Sequence, residues 1–210
     1  MLCRIPAGFP NLDHLTIFDS TLAARLAARS FAVLLPGSFG PSLRRLEVIG
    51  KRGELLGAST GAALIQSFPN LKELQCHWVD YGSTGDFLRA VQSLRSLEPL
   101  SLGFVAAVDA DFASSTGWVQ PLRKILIYQH SALSPNKVLH CLSNFTATLT
   151  DLTLELRGPF SLSAPPILLH HLRNCYLYLP TLADIAHGLR LAEAPIQRLR
   201  VTELGGPRED

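Results

Sequence analysis

The strongest constraint on this chain is a short apolar phrase that recurs along nearly all of its 210 residues. The phrase has the form L-x-x-L-x-L, with Ile, Val or Cys also accepted, so its apolar residues stand at offsets 0, 3 and 5. Residues 9–17 and 68–76 are nearly identical copies. Copies open 23 to 31 residues apart at Leu12, Leu43, Leu71, Leu97, Leu122, Leu149, Leu172 and Ile196. Self-similarity at such a period predicts a repeat architecture.

The segments between the phrases carry helical patterns. Apolar residues at helical spacing, often behind a capping residue, predict helices over residues 21–35, 60–68, 83–94, 134–142 and 181–189. In the fourth of these, Ser134 is the expected N-cap and Pro135 the expected first helical residue. Residues 102–119 give a weak pattern, and the prolines within residues 157–171 predict a loop there.

Strand, helix and strand at this period predict parallel strands joined by right-handed crossovers. The expected fold class is therefore α/β, a solenoid of about eight irregular repeats with a parallel sheet on its concave side and helices on its convex side. We expect one domain over residues 1–210, with repeats at 9–204 and a flexible tail at 205–210. Both ends lack a polar capping unit, which indicates a longer protein or a partner that covers an end.

The eight phrases resemble leucine-rich repeats across residues 9–204. Their irregular lengths, and the opening F-P-N-L-K-E-L at residues 68–74, resemble the repeats of fungal F-box-type proteins. That resemblance implies a right-handed βα superhelix and a role as substrate receptor of a cullin-type ubiquitin ligase. The chain departs from the pattern because no asparagine ladder follows the phrases and no F-box is found. A ligase adaptor would therefore bind through a region that this chain does not contain.

Composition narrows the function classes. Hydrophobic residues make up 47% of the chain, charged residues 17%, and the net charge is +2. This balance predicts a folded domain and argues against binding to nucleic acid or to an anionic membrane surface. Neither a membrane-spanning run nor a signal peptide is found, so we expect a cytoplasmic or nuclear protein. The four cysteines and seven histidines show no ligand spacing, so we expect no metal and no cofactor.

Side chains alternate along a strand, so offsets 2, 4 and 6 of each phrase should lie on the concave face. The fourth strand offers only small residues there, which predicts a notch between His77 and Tyr128. Tyrosines with apolar neighbours suit a protein-binding surface. The predicted partner-binding residues are His77, Ser101, Gly103, Leu126, Tyr128, Tyr176 and Tyr178. A simpler alternative is that the offset-6 residues only pack on the loops that follow.

The predicted function is non-catalytic protein interaction, either as a ligase substrate receptor or as a stand-alone scaffold or inhibitor. One pattern favours an enzyme instead, because Gly57–Gly61 reads G-x-S-x-G before a helical segment and resembles the nucleophile elbow of patatin-like lipases. The aspartate motif of that family is missing, since the chain has no Asp-Gly, and its only Gly-Gly is Gly205-Gly206. We therefore expect no catalysis at Ser59, and a fluorophosphonate probe would test this.

Overall fold

A computed structural model describes residues 11–18, 42–49, 57–77, 86–103, 118–128, 135–155, 165–179 and 189–203. These residues form an α/β fold with one open sheet of eight strands, all parallel, whose order in the sheet follows the chain. The strands are β1 (His14–Ile17), β2 (Arg45–Ile49), β3 (Glu73–His77), β4 (Pro99–Gly103), β5 (Lys124–Tyr128), β6 (Asp151–Glu155), β7 (Asn174–Leu179) and β8 (Arg198–Glu203). Each of the eight phrases thus supplies one strand, and the predicted parallel arrangement is confirmed.

The apolar residues of the phrases form continuous rows across the sheet. Strand pairing aligns the offset-3 residues with one another and the offset-5 residues with one another, so that Leu74 lies beside Leu46 and Leu100. The first apolar residue of each phrase precedes its strand, and six of these residues are fully buried: Leu43, Leu71, Leu97, Leu122, Leu149 and Leu172. All three apolar positions therefore face one core, which explains why the phrase keeps its spacing.

A backbone ladder holds the starts of the strands together. The carbonyl of Arg44, one residue after Leu43, accepts hydrogen bonds from the amides of Lys72 at 2.7 Å and Glu73 at 3.0 Å. The same double acceptance recurs at the corresponding carbonyls, which belong to Asp13, Glu98, Arg123, Thr150 and Arg173. Buried peptide groups need such partners, and the ladder supplies them at the same point of successive copies.

Three α-helices are described between the strands: α1 (Ala58–Gln66), α2 (Asp86–Gln92) and α3 (Pro135–Leu142), with a 3₁₀ helix at Ser143–Phe145. Helix α2 buries Phe87, Leu88 and Val91, the apolar residues whose helical spacing predicts the helix over 83–94. Helix α1 begins two residues earlier than predicted and buries Ile65, which the sequence pattern had not singled out. Helix α3 is described from Pro135, and the predicted N-cap Ser134 lies outside the described residues. No helix in the described part of the chain is both long and apolar enough to cross a membrane.

Two side-chain contacts connect neighbouring units. Gln120, only 4% exposed, donates from Nε2 to the carbonyl of Val91 at 3.2 Å and also to that of Gln92, and so satisfies the end of α2. Trp118 meets Phe145 edge to face, with ring centroids 5.4 Å apart. The predicted helix at residues 21–35, most of the one at 181–189, and the positions expected to carry an asparagine ladder lie outside the described residues.

The last strand completes the core less fully than the others. Leu199 is 52% exposed and Val201 37% exposed, although their row neighbours in β7, Cys175 and Leu177, are fully buried. Near the other edge of the sheet, Phe18 follows β1 and is 68% exposed. Apolar surface is thus open to solvent beside both edge strands.

Candidate interaction face

The residues at offsets 2, 4 and 6 of the phrases share the sheet face opposite the apolar rows, here called the polar face. Strand pairing sets His77, Gly103 and Tyr128 side by side, followed by Glu155 and Tyr178. One row nearer the strand starts, Ser101 lies beside Leu126, and Tyr176 lies two strands beyond Leu126. All seven predicted residues are therefore on strands β3, β4, β5 and β7, at the predicted register positions.

The notch that was predicted on the polar face at strand β4 is not open. Ser101 is only 4% exposed and Gly103 is buried. The imidazole of His77 lies over Gly103, where an added Cβ would overlap Nδ1 and come within 3.0 Å of Cγ. The His77 ring therefore occupies the predicted space beside Gly103. It can lie there because Gly103 has no Cβ atom that would overlap it.

An open depression remains one step towards the start of β4. It has a volume of ≈ 40 Å³ and lies at Pro99 and Ser101, between the flanking strands β3 and β5. Its lining on the polar face consists of Glu73, Gln75, Pro99, Ser101, Lys124 and Leu126. The volume suits one or two waters or the tip of a single partner side chain, not a small-molecule ligand.

The contact between His77 and Ser101 was not foreseen from the sequence. Ser101 Oγ lies 3.5 Å from His77 Nε2. Burial lowers the pKa of His77 below its ordinary 6.5, and the carboxylate of Glu47 opposes that shift only in part. The neutral form of the ring therefore predominates at pH 7. Because the Ser101 hydroxyl is almost completely covered, this pair offers no exposed nucleophile and serves to pack β3 against β4.

On the polar face over β1 to β3, the carboxylates have basic or hydrogen-bonding partners on the same face. Arg45 Nη2 pairs with Glu73 Oε1 at 3.2 Å, and Gln75 donates to the same carboxylate at 3.0 Å. Thr16 donates to Glu47 at 3.2 Å, and His14 lies 3.9 Å from that carboxylate. Each carboxylate here already has a partner within the sheet.

The polar face over β7 and β8 is different. Tyr176 and Tyr178 are half-buried, while Arg198 and Arg200 are exposed. Strand pairing sets Tyr176 beside Arg200. Within the described part of the chain, neither arginine forms an ion pair and neither tyrosine hydroxyl forms a hydrogen bond. Arg200 was not among the predicted binding residues, although its place in the offset-4 row with Tyr176 could have indicated it.

The other chemically reactive groups lie away from this face. Ser59 is exposed in the first turn of α1, where its hydroxyl has no hydrogen-bond partner among the described residues. Cys76, Cys141 and Cys175 are buried free thiols, and burial raises the pKa of each to about 12. Cys76 and Cys175 occupy apolar positions of their phrases, which predicts that they are buried, and both are. In the described ranges, no three His, Cys, Asp or Glu side chains come together as metal ligands would.

Together the fold and the face define an α/β protein with one open, all-parallel sheet. Among the described residues, its polar face carries paired charges over β1 to β3, and two tyrosines with two exposed arginines over β7 and β8. In comparisons with known proteins, no protein-family model, curated protein or solved structure matches this chain.

Proposed function

We propose that this chain is a leucine-rich repeat solenoid that acts as a non-catalytic protein-interaction module. The observation that carries the proposal is the in-register polar face, whose two adjacent rows contain Leu126 and Tyr128 on β5 and, on the far side of β6, Tyr176 and Tyr178 on β7. A partner protein would dock across these strands. The repeat phrases support the solenoid, because each gives one strand and shares one core with its neighbours.

The tyrosines favour this end of the face for docking. A half-buried tyrosine presents a large, rigid apolar surface with one polar tip, which suits an interface hot spot. The hydroxyls of Tyr176 and Tyr178 have no partner among the described residues, so a bound protein could supply one without breaking an internal contact. The depression at Pro99 and Ser101 would receive a single side chain of the partner.

The charges favour an acidic partner segment beside the tyrosines. Arg198 and Arg200 are exposed and form no ion pair in the described ranges. Complementary charge speeds association and fixes orientation more than it adds affinity. We therefore expect the partner's carboxylates to approach β8 while its apolar residues cover β5 and β7.

A role as the substrate-recognition part of an F-box-like ubiquitin-ligase receptor would follow from the repeat style. The alternative is a stand-alone scaffold or inhibitor that acts in the cytoplasm or nucleus. The buried free thiols of Cys76, Cys141 and Cys175 fit a reducing compartment. The two roles differ in one measurable respect, because only the receptor would co-purify with the ligase adaptor when the full-length gene product is captured from cells.

Alanine variants test the docking surface. Affinity capture with mass spectrometry compares the wild type with Tyr176→Ala/Tyr178→Ala, with Tyr128→Ala and with the control Thr16→Ala, which lies in the Tyr176 row on β1. We expect the tyrosine variants to lose the captured partner and the control to keep it, at similar melting temperatures. Capture that survives all the tyrosine changes would refute the docking surface, and a sharply lowered melting temperature would assign the tyrosines to the core.

A further inference from the structure

A second site lies away from the polar face, at the edge of the sheet where the strands begin. Here the structure has an open cleft of ≈ 240 Å³ next to the starts of β5, β6 and β7. The cleft is lined by Pro121, Arg123, Ala147, Thr148, Thr150, His171 and Arg173. Among the described residues, this lining contains two arginines and a histidine but no aspartate or glutamate.

The shape of the cleft follows from the repeat. Arg123, Thr150 and Arg173 occupy the same position in three successive phrases, one residue after the first apolar residue. The outer two strands are roughly 9.6 Å apart, twice the spacing of neighbouring strands. The middle copy carries the short Thr150, which leaves open space between the two long arginine side chains that line the cleft.

Most other polar groups at this edge are already engaged. The amides of Thr150 and Arg173 belong to the backbone ladder. The hydroxyl of Thr148 donates to the carbonyl of Leu122 at 2.8 Å. The hydroxyl of Thr150 lies 2.7 Å from Asp151 Oδ2 and 3.0 Å from the carbonyl of Arg123. The donors left for a ligand are therefore the side chains of Arg123, Arg173 and His171.

The arginines are also weakly committed within the protein. Arg123 Nε lies 3.9 Å from Glu98 Oε2, and both side chains are at least half-exposed. Such surface pairs contribute little stability, so Glu98 competes weakly for Arg123. Arg173 has no ion pair in the part of the chain that is described.

We propose that this cleft binds a phosphoryl group, held between the guanidinium groups of Arg123 and Arg173 with His171 as a third donor. Guanidinium groups bind phosphate oxygens in pairs of parallel hydrogen bonds, and a dianion gains from two of them. A nucleic-acid strand suits the cleft less well, because no Phe, Tyr or Trp among the described residues lines it for base stacking. The site is independent of the proposed docking on the polar face.

Nuclear magnetic resonance titration tests the site. Inorganic phosphate is added to the whole chain at constant ionic strength set with chloride, and the Nε–H signals of Arg123 and Arg173 are followed. We expect saturable shifts confined to the cleft. Arg173→Gln should weaken phosphate binding about fivefold, the magnitude of one exposed ion pair. Arg123→Gln/Arg173→Gln should abolish it.

Lys72→Gln is the matched control. Lys72 is exposed and occupies the equivalent position in the third phrase, but it does not line the cleft. It should leave phosphate affinity unchanged. Equal weakening by Lys72→Gln, or wild-type shifts that do not saturate at Arg123 and Arg173, would overturn the proposal. A parallel titration with O-phospho-L-serine assigns the source: tighter binding than phosphate indicates a phosphorylated side chain, and equal binding indicates free phosphate.

Discussion

The two ends of the sheet contain the same repeat phrase, but they differ in how far their side chains are paired and buried. Over β1 to β3, the polar face pairs Arg45 with Glu73 and Thr16 with Glu47, and the apolar rows of β2 and β3 are closed. Over β7 and β8, Tyr176 and Arg200 lack internal partners among the described residues. On the other side of β8, Leu199 is largely exposed.

Side chains without a partner inside the protein can gain the most free energy from contact with another molecule. A side chain already paired inside the sheet must give up that pair before it can contact another molecule, and exposed pairs are weak even then. A half-buried tyrosine or an exposed leucine gives up only contacts with water. This difference supports our proposal that a partner docks at the β7–β8 end, although Phe18 beside β1 is also exposed.

The largest expected effect comes from matched leucines of one apolar row. Leu74→Ala in β3 removes a fully buried side chain and should lower the free energy of unfolding by about 2–5 kcal/mol. Leu199→Ala in β8 makes the same chemical change where half of the side chain is exposed, and should cost less than about 1 kcal/mol. Urea denaturation followed by circular dichroism measures both values.

Equal losses in the free energy of unfolding for Leu74→Ala and Leu199→Ala would contradict the difference between the two ends of the sheet. They would mean that another molecule or another part of the chain covers Leu199 in solution. A dependence of the Leu199→Ala cost on protein concentration would then identify a second copy of the chain as the cover, because association stabilises the folded state by mass action.

A smaller effect is expected at the close contact between β3 and β4. Gly103→Ala places a methyl group where the His77 ring lies, and should cost about 1–3 kcal/mol through overpacking. His77→Ala/Gly103→Ala removes the ring that the methyl group meets, so it should recover part of that loss. Additive costs in this double-mutant cycle, measured by urea denaturation, would show that the ring can move aside freely.

The sequence alone predicted the repeating part of this molecule. The phrase has three apolar positions at fixed offsets and returns at a nearly regular spacing. This pattern assigned Leu74 and Cys76 to the core and each phrase to a parallel strand. Registers followed as well, because equivalent positions of successive phrases must lie side by side if their leucines are to share one core. Tyr176 and Tyr178 were placed on the polar face by the same reasoning.

The remaining features depend on individual side chains and were not predictable from the period. Gly103 suggested an empty notch, but the neighbouring His77 folds over it, which depends on a rotamer and not on spacing. The cleft between Arg123 and Arg173 arises because the copy between them carries a short Thr150. Neither feature leaves a signal in the apolar pattern, which reports only the buried side of each strand.

The smallest predicted effect concerns the neutral, partly covered imidazole of His77. Its pKa in the folded chain is below the ordinary 6.5, so as pH falls through 6.5 the unfolded chain takes up the proton first. The free energy of unfolding should therefore be greatest above this pH, decline below it, and level off once the folded ring is also protonated. Urea denaturation from about pH 7.5 to about pH 5 checks this, with His77→Gln as the comparison because it removes the titrating group. The wild type should lose more stability on acidification than His77→Gln. Parallel profiles would show that the ring is as well hydrated in the folded chain as in the unfolded one. That result would contradict the tight packing of His77 between β3 and β4.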